Sequence, residues 1–175
     1  LISNRFGHQS NRKQRRISRA GFSVIELLVV VAVILIIAAI AIASFTRAKM
    51  AANESAAVAA LRAVATEEVN YDTSYSIGYS ETLAALGPPP PSTDPSPAAA
   101  GLIDQLLASG IRSGYIFVYV PVDPGNTGSP SGYQVTASPI SPGITGQWYF
   151  YLDQTNIIRE NESSPAGPTS APIPR

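Results

Sequence analysis

The sequence predicts an α+β protein: a long N-terminal helix, its first half transmembrane, packed through its second half on a small antiparallel β-sheet head. Three observations lead there. Residues 22–77 contain neither glycine nor proline, and all fifteen prolines follow Gly87. Residues 27–43 form a run of seventeen without a polar side chain. After Gly114 the pattern changes to short β-branched and aromatic runs bounded by Pro, Gly, Asn and Ser.

The absence of glycine and proline argues for one continuous helix, because each costs about 1–3 kcal/mol inside a helix. Its first part, residues 22–45, reads as a membrane span. Twelve Leu, Ile or Val residues lie in 27–43; at about −0.3 to −0.6 kcal/mol each they outweigh the roughly 2.5–3.5 kcal/mol cost of one carboxylate. A buried helix of a soluble protein accounts poorly for so long a run. From Ser44 onward the sequence turns alanine-rich and polar. Val58, Leu61, Ala65 and Val69 recur at three- and four-residue spacing, so residues 46–76 are expected to offer one apolar stripe to a partner layer. Arg47 and Lys49 stand where a membrane helix would emerge, the usual place for snorkelling anchors.

Residues 77–113 read as a connector. It holds a polyproline-like run over 87–97, which neither pairs into a sheet nor continues a helix. A short helix is expected over 98–108, with Leu102, Ile103, Leu106 and Leu107 on its buried side and Gly110 as its stop. Residues 114–160 are expected to form an antiparallel meander with strands near 115–120, 133–138 and 147–152, and a short fourth at Ile157 and Ile158. Residues 161–175 are rich in Pro, Ser and Ala and read as a loose tail.

Charge is sharply partitioned. Residues 1–21 hold Arg5, Arg12, Lys13, Arg15, Arg16 and Arg19 and no acid, for +6. The whole chain has 12 bases and 12 acids, so residues 22–175 carry −6. A basic run before an apolar span reads as a cytoplasmic topology signal, and the acidic remainder gives no reason to expect a nucleic-acid partner. The leader differs from a secretory signal: its apolar segment follows the expected cut after Gly21, and no small-x-small site closes the run. The chain opens on Leu1, which fits an unusual start codon or a truncated gene model.

Glu26 is the residue that needs an explanation. An interfacial glutamate in reach of water is the plain reading. An ionisable group within a membrane helix is otherwise a functional candidate whose partner must be named. Cutting after Gly21 would create an α-amine on Phe22, four residues before Glu26. Within one chain the carboxylate complements that amine and the unpaired N–H groups of the helix start. Between chains, Glu26 of one helix paired with the Phe22 amine of a neighbour would set the axial register of a helical bundle.

The segment Gly21-Phe22-Ser23-Val24-Ile25-Glu26-Leu27-Leu28-Val29-Val30 resembles the cleavage and methylation motif of type IV prepilins and their pseudopilin relatives. Residues 40–49 and 53–58 extend the resemblance down the helix. Gly78-Tyr79-Ser80, Leu102-Ile103-Asp104, Ser113-Gly114-Tyr115 and Tyr151-Leu152-Asp153-Gln154 resemble a pilin subgroup with a compact, cysteine-free head. The resemblance implies that a prepilin peptidase/methyltransferase cuts between Gly21 and Phe22 and N-methylates Phe22. It further implies an inner-membrane, single-pass precursor, a pilus assembly platform and motor as partners, and a homopolymer at the cell surface as the product. Two departures stand out. Many pilins have proline where this chain has Ala43, and many close the head with a disulfide, which a chain without cysteine lacks.

Other chemistry is sparse. The single histidine, His8, lies in the leader. Asp123 with Asn126, or Asp153 with Asn156, would be a thin calcium site, and turn formation is the commoner use of such residues. Asn53-Glu54-Ser55 and Asn161-Glu162-Ser163 match the glycosylation sequon, a pattern frequent by chance. Tyr115, Tyr119, Tyr133, Trp148, Tyr149 and Tyr151 read as strand and core aromatics. No nucleophile–base pair, phosphate loop or carboxylate dyad has credible spacing, so no enzyme, cofactor or metal site is expected. The expectation is a structural pilin subunit; a type II secretion pseudopilin and a bitopic membrane-anchored ligand-binding protein are the alternatives.

Overall fold

A computed structural model describes residues 21–123, 125 and 127–174. Helix α1 spans Val24–Tyr75 without interruption, as the missing glycines and prolines dictate. It ends where Ser76 and Gly78 adopt positive φ (54° and 83°) and turn the chain out of the helix.

The chain divides into two compact units, Leu1–Ile40 and Ala41–Arg175. In the first, α1 presents its apolar side chains outward on every side; none of its most apolar window is buried, and the helix is long and apolar enough to cross a membrane. A helix apolar all round is either buried in a core or placed in lipid or among other helices, and this window is not buried.

In the second unit α1 contributes Ala57, Ala60, Leu61, Val64, Glu68 and Tyr71 to the core. This face differs from the expected stripe, of which only Leu61 is fully buried. Val58 and Ala65 pack at its margin, and Val69 is 47% exposed. The small Ala57 and Ala60 let the helix approach closely, while Glu68 and Tyr71 occupy buried positions that a count of apolar residues passes over.

The sheet has six strands: β1 (Ile111–Arg112), β2 (Tyr115–Val122), β3 (Gly132–Pro139), β4 (Tyr149–Asp153), β5 (Arg159–Asn161) and β6 (Ala171–Pro172). They form an antiparallel meander in the order β1-β2-β3-β4-β5-β6. Register aligns Phe117, Ala137 and Phe150 in one row and Tyr119, Val135 and Leu152 in the next. With Tyr115 and Tyr133, these rows join Leu61 and Val64 of α1 in the core. Pro121 is tolerated inside β2 for a specific reason. The Phe117 N–H donates to the Gly110 carbonyl, away from β3. By strand alternation the nitrogen of Pro121 faces the same side, where the two-residue β1 no longer reaches, so the missing N–H costs no ladder bond. Gly146 is required by contact: a Cβ there would collide with the Tyr115 hydroxyl, which donates to the Trp148 carbonyl at 2.8 Å.

Three further sequence expectations are corrected. Over 98–108 the helix is only α2 (Gln105–Ala108), capped by Asp104, whose Oδ1 accepts from Leu106 N and Leu107 N. Residues 100–103 instead donate backbone hydrogen bonds to 85–87. One turn has no second turn to repeat a face, so Leu106 is 67% exposed. The fifth strand lies at 159–161, one step after the expected apolar pair, because Ile158 enters the core. The end of the chain is tied down: β6 pairs with β5, the Ile173 N–H donates to Ile158 O, and Arg159 Nη1 donates to Ser170 O.

Candidate processing and assembly site

Gly21, Phe22 and Ser23 precede the helix, lack regular structure and are exposed. The first intrahelical bond runs from Leu27 N to Ser23 O at 3.2 Å. Ser23 is therefore the N-cap and Glu26 the third residue of the first turn. The Ser-x-x-Glu spacing of a capping box is present, a local signal in the sequence that marks Ser23 as the helix start. The N–H groups of Val24, Ile25 and Glu26 have no intrahelical acceptor and point toward the N-terminus, where a carboxylate is favoured electrostatically.

Glu26 itself is exposed. The only ion pair among the described residues joins Arg112 to Asp104, so no described basic residue neutralises Glu26. Gly21 stands in open space: a Cβ placed on it meets nothing within 4 Å. Gly21 and Phe22 are both exposed, and the fold makes no steric demand for glycine at Gly21. Phe22 is 82% exposed. Arg47 and Lys49 are exposed on α1. His8 and the rest of the leader up to Ala20 lie outside the described residues, as does Asn126.

The weaker candidates resolve into local structure. Asp123 accepts from Gly128 N (2.9 Å) and Thr127 Oγ1 (3.2 Å), closing its loop. Desolvation acts to raise its carboxyl, but its hydrogen bonds, chiefly those from Gly128 and Thr127, together outweigh it and hold the group below its ordinary value. Asp153 accepts from the backbone and hydroxyl of Thr155, and Asn156 Oδ1 accepts from Tyr133 Oη at 2.9 Å. No group of three or more potential metal-ligating side chains occurs among the described residues. Asn53 Nδ2 donates to Thr145 O at 2.7 Å, and Asn161 Oδ1 accepts from Ser163 N, so both sequon asparagines are engaged in the fold. Tyr115, Tyr133 and Tyr151 are buried. Burial, with the Glu54 charge nearby, pushes the Tyr115 phenol up.

Residues 16–42 match the family model of the prokaryotic N-terminal methylation motif, the type IV prepilin signature. The chain is pilin-like in this respect; the motif is a structural rather than an enzymatic one, and it implies processing by a prepilin peptidase. No curated protein and no solved structure shows significant similarity to the chain.

Proposed function

We propose that this chain is the precursor of a structural subunit of a type IV pilus-like filament. Prepilin peptidase cuts it between Gly21 and Phe22, Phe22 is N-methylated, and the mature subunit polymerises through α1. Before assembly it crosses the inner membrane once, with the basic leader on the cytoplasmic side. An assembly platform and motor then move it into the filament, where α1 exchanges lipid for neighbouring helices and the head faces outward.

One conjunction carries this reading: an accessible glycine junction stands immediately before a helix that buries none of its apolar window and bears one acid, Glu26, in its first turn. Burying that apolar surface at about 25 cal/mol per Å2 supplies cohesion without direction or register. Register then comes from Glu26, which pairs with the methylated Phe22 amine of an adjacent subunit. A charge left unpaired between packed helices is costly, so offset packings are disfavoured.

The test is electron microscopy and peptide mapping of material sheared from the cell surface. Filaments containing this subunit with Phe22 at its N-terminus are expected. Filaments lacking it, or a chain retaining residues before Phe22 within them, overturn the reading.

A further inference from the structure

The head holds a fully buried acid that neither processing nor polymerisation uses. Glu68 and Ser80 are both at 0% exposure. Glu68 Oε2 accepts from Ser80 N at 3.0 Å and Oε1 accepts from Ser80 Oγ at 2.6 Å. From the strands, Tyr119 Oη donates to Ser80 O at 2.8 Å and lies 3.1 Å from Ser80 Oγ. The titratable groups around the carboxyl are Tyr71 on α1, Tyr119 on β2 and Tyr133 on β3. Glu81 adjoins Ser80, and none of these groups carries a positive charge.

Hydrogen counting favours the acid form. Ser80 has one hydroxyl hydrogen, and three acceptors compete for it: Glu68 Oε1, Tyr119 Oη and Thr82 O at 3.2 Å. An ionised Glu68 consumes that hydrogen, and no described cation lies beside it, so its charge rests on hydrogen bonds from neutral groups alone, which is poor compensation for a buried charge. A protonated Glu68 donates to Ser80 Oγ instead, which frees the hydroxyl hydrogen for Thr82 O. Burial pushes the Glu68 carboxyl up, against the opposing hydrogen bonds from Ser80 and Tyr119.

Residues 76–82 are the element this acid holds. Besides the Ser80 bonds, Tyr79 N donates to Pro130 O at 3.0 Å, and Ser129 Oγ donates to Ile77 O. Ser76 and Gly78 keep the segment in positive φ, and a Cβ at Gly78 would strike Pro130 O. The segment thus joins the end of α1 to the loop between β2 and β3.

We propose that Glu68 is a proton-operated latch: protonated, it locks residues 76–82 onto α1, and its ionisation releases that segment locally. Between the unfolded value of 4.5 and the raised native midpoint, the closed state binds more protons than the open one. Closure is therefore strongest below 4.5 and weakens as pH rises toward the native midpoint.

The test uses the full chain in detergent, with the Glu68 carboxyl titrated by carbon NMR and the Ser80 amide followed by hydrogen exchange. The expected midpoint lies above 4.5. Ser80 protection, corrected for intrinsic exchange, falls up to about tenfold per pH unit over that interval, the limit for one proton. Glu68→Gln should abolish this dependence. A midpoint at or below 4.5, or an E68Q variant with the wild-type profile, overturns the latch. The carboxyl titration decides on wild-type protein alone should E68Q fail to fold.

Discussion

The side-chain amide of Asn53, on α1, donates a 2.7 Å hydrogen bond to the backbone carbonyl of Thr145 in the loop between β3 and β4. Its neighbour Glu54 accepts from Gln147 N at 2.7 Å and from Trp148 N at 3.4 Å. Two adjacent helix residues, one donor and one acceptor, thus fasten the loop that delivers the chain into β4. Asn53→Ala should destabilise the head by about 1 kcal/mol, and Asn53→Asp, which sets acceptor against acceptor, by about 1–3 kcal/mol. Urea unfolding followed by Trp148 fluorescence measures both. With its amide engaged, Asn53 should also carry no glycan in the folded protein, which intact mass determination checks.

Gly21→Val should leave the head's stability unchanged, since an added Cβ meets nothing within 4 Å, yet block removal of the leader. Membrane fractions should then hold an uncut precursor by mass spectrometry. Normal cleavage before Phe22 in this variant would refute the assignment of the processing site.

Glu26→Ala should insert into the membrane and be processed while filament yield falls. The side chain is exposed in the single chain, so its removal opens no cavity and costs at most the carboxylate's small favourable effect at the helix start, about 0.3–1 kcal/mol. A loss of even about 1.4 kcal/mol per added subunit weakens each addition about tenfold. Abundant filaments from the E26A subunit alone would remove its role in register.

Leu61 and Val69 separate the observed helix face from the one expected by spacing. Leu61 is at 0% exposure and Val69 at 47%. Leu61→Ala should cost about 2–5 kcal/mol, whereas Val69→Ala should stay near about 0.5 kcal/mol. Equal effects in thermal unfolding would mean that α1 packs on a different face.

Gly146→Ala should cost about 1–3 kcal/mol as an overpacking change. The new methyl meets the Tyr115 hydroxyl, whose bond to Trp148 O it would displace. Loss of thermal stability together with altered Trp148 fluorescence is the expected signature.

The legible parts of the fold were those governed by neighbouring residues. Uninterrupted helix over Val24–Tyr75 follows from propensity. The three main strands, β2, β3 and β4, follow from β-branched and aromatic content, with their ends displaced by up to two residues. Expectations for 98–108 and for the C-terminal tail failed where local pattern was weak. Four backbone bonds from 100–103 outcompeted a marginal helix, and the buried Ala166, the partly buried Ile173 and a two-residue pairing ordered a proline-rich end. For the candidate site, the Gly-Phe-x-x-x-Glu spacing is legible in the sequence, while the N-cap role of Ser23 is fixed by the Leu27 N to Ser23 O bond.

By itself the sequence determined the processing motif, the apolar span with its one carboxylate, the long helix and the change to strand periodicity. All depend on residues close together in the chain, where propensity, charge and hydrophobic spacing act directly. Only the tertiary structure decided which face of α1 is buried, why Gly146 must lack a side chain and where Asn53 finds its acceptor. It alone brought Glu68 to Ser80 and Tyr119, in a core to which no described basic residue belongs. Those relationships arise from contacts distant in sequence: 92 residues separate Asn53 from Thr145, and 39 separate Ser80 from Tyr119. No local pattern encodes them, because the energy of each group depends on what the folded chain places against it.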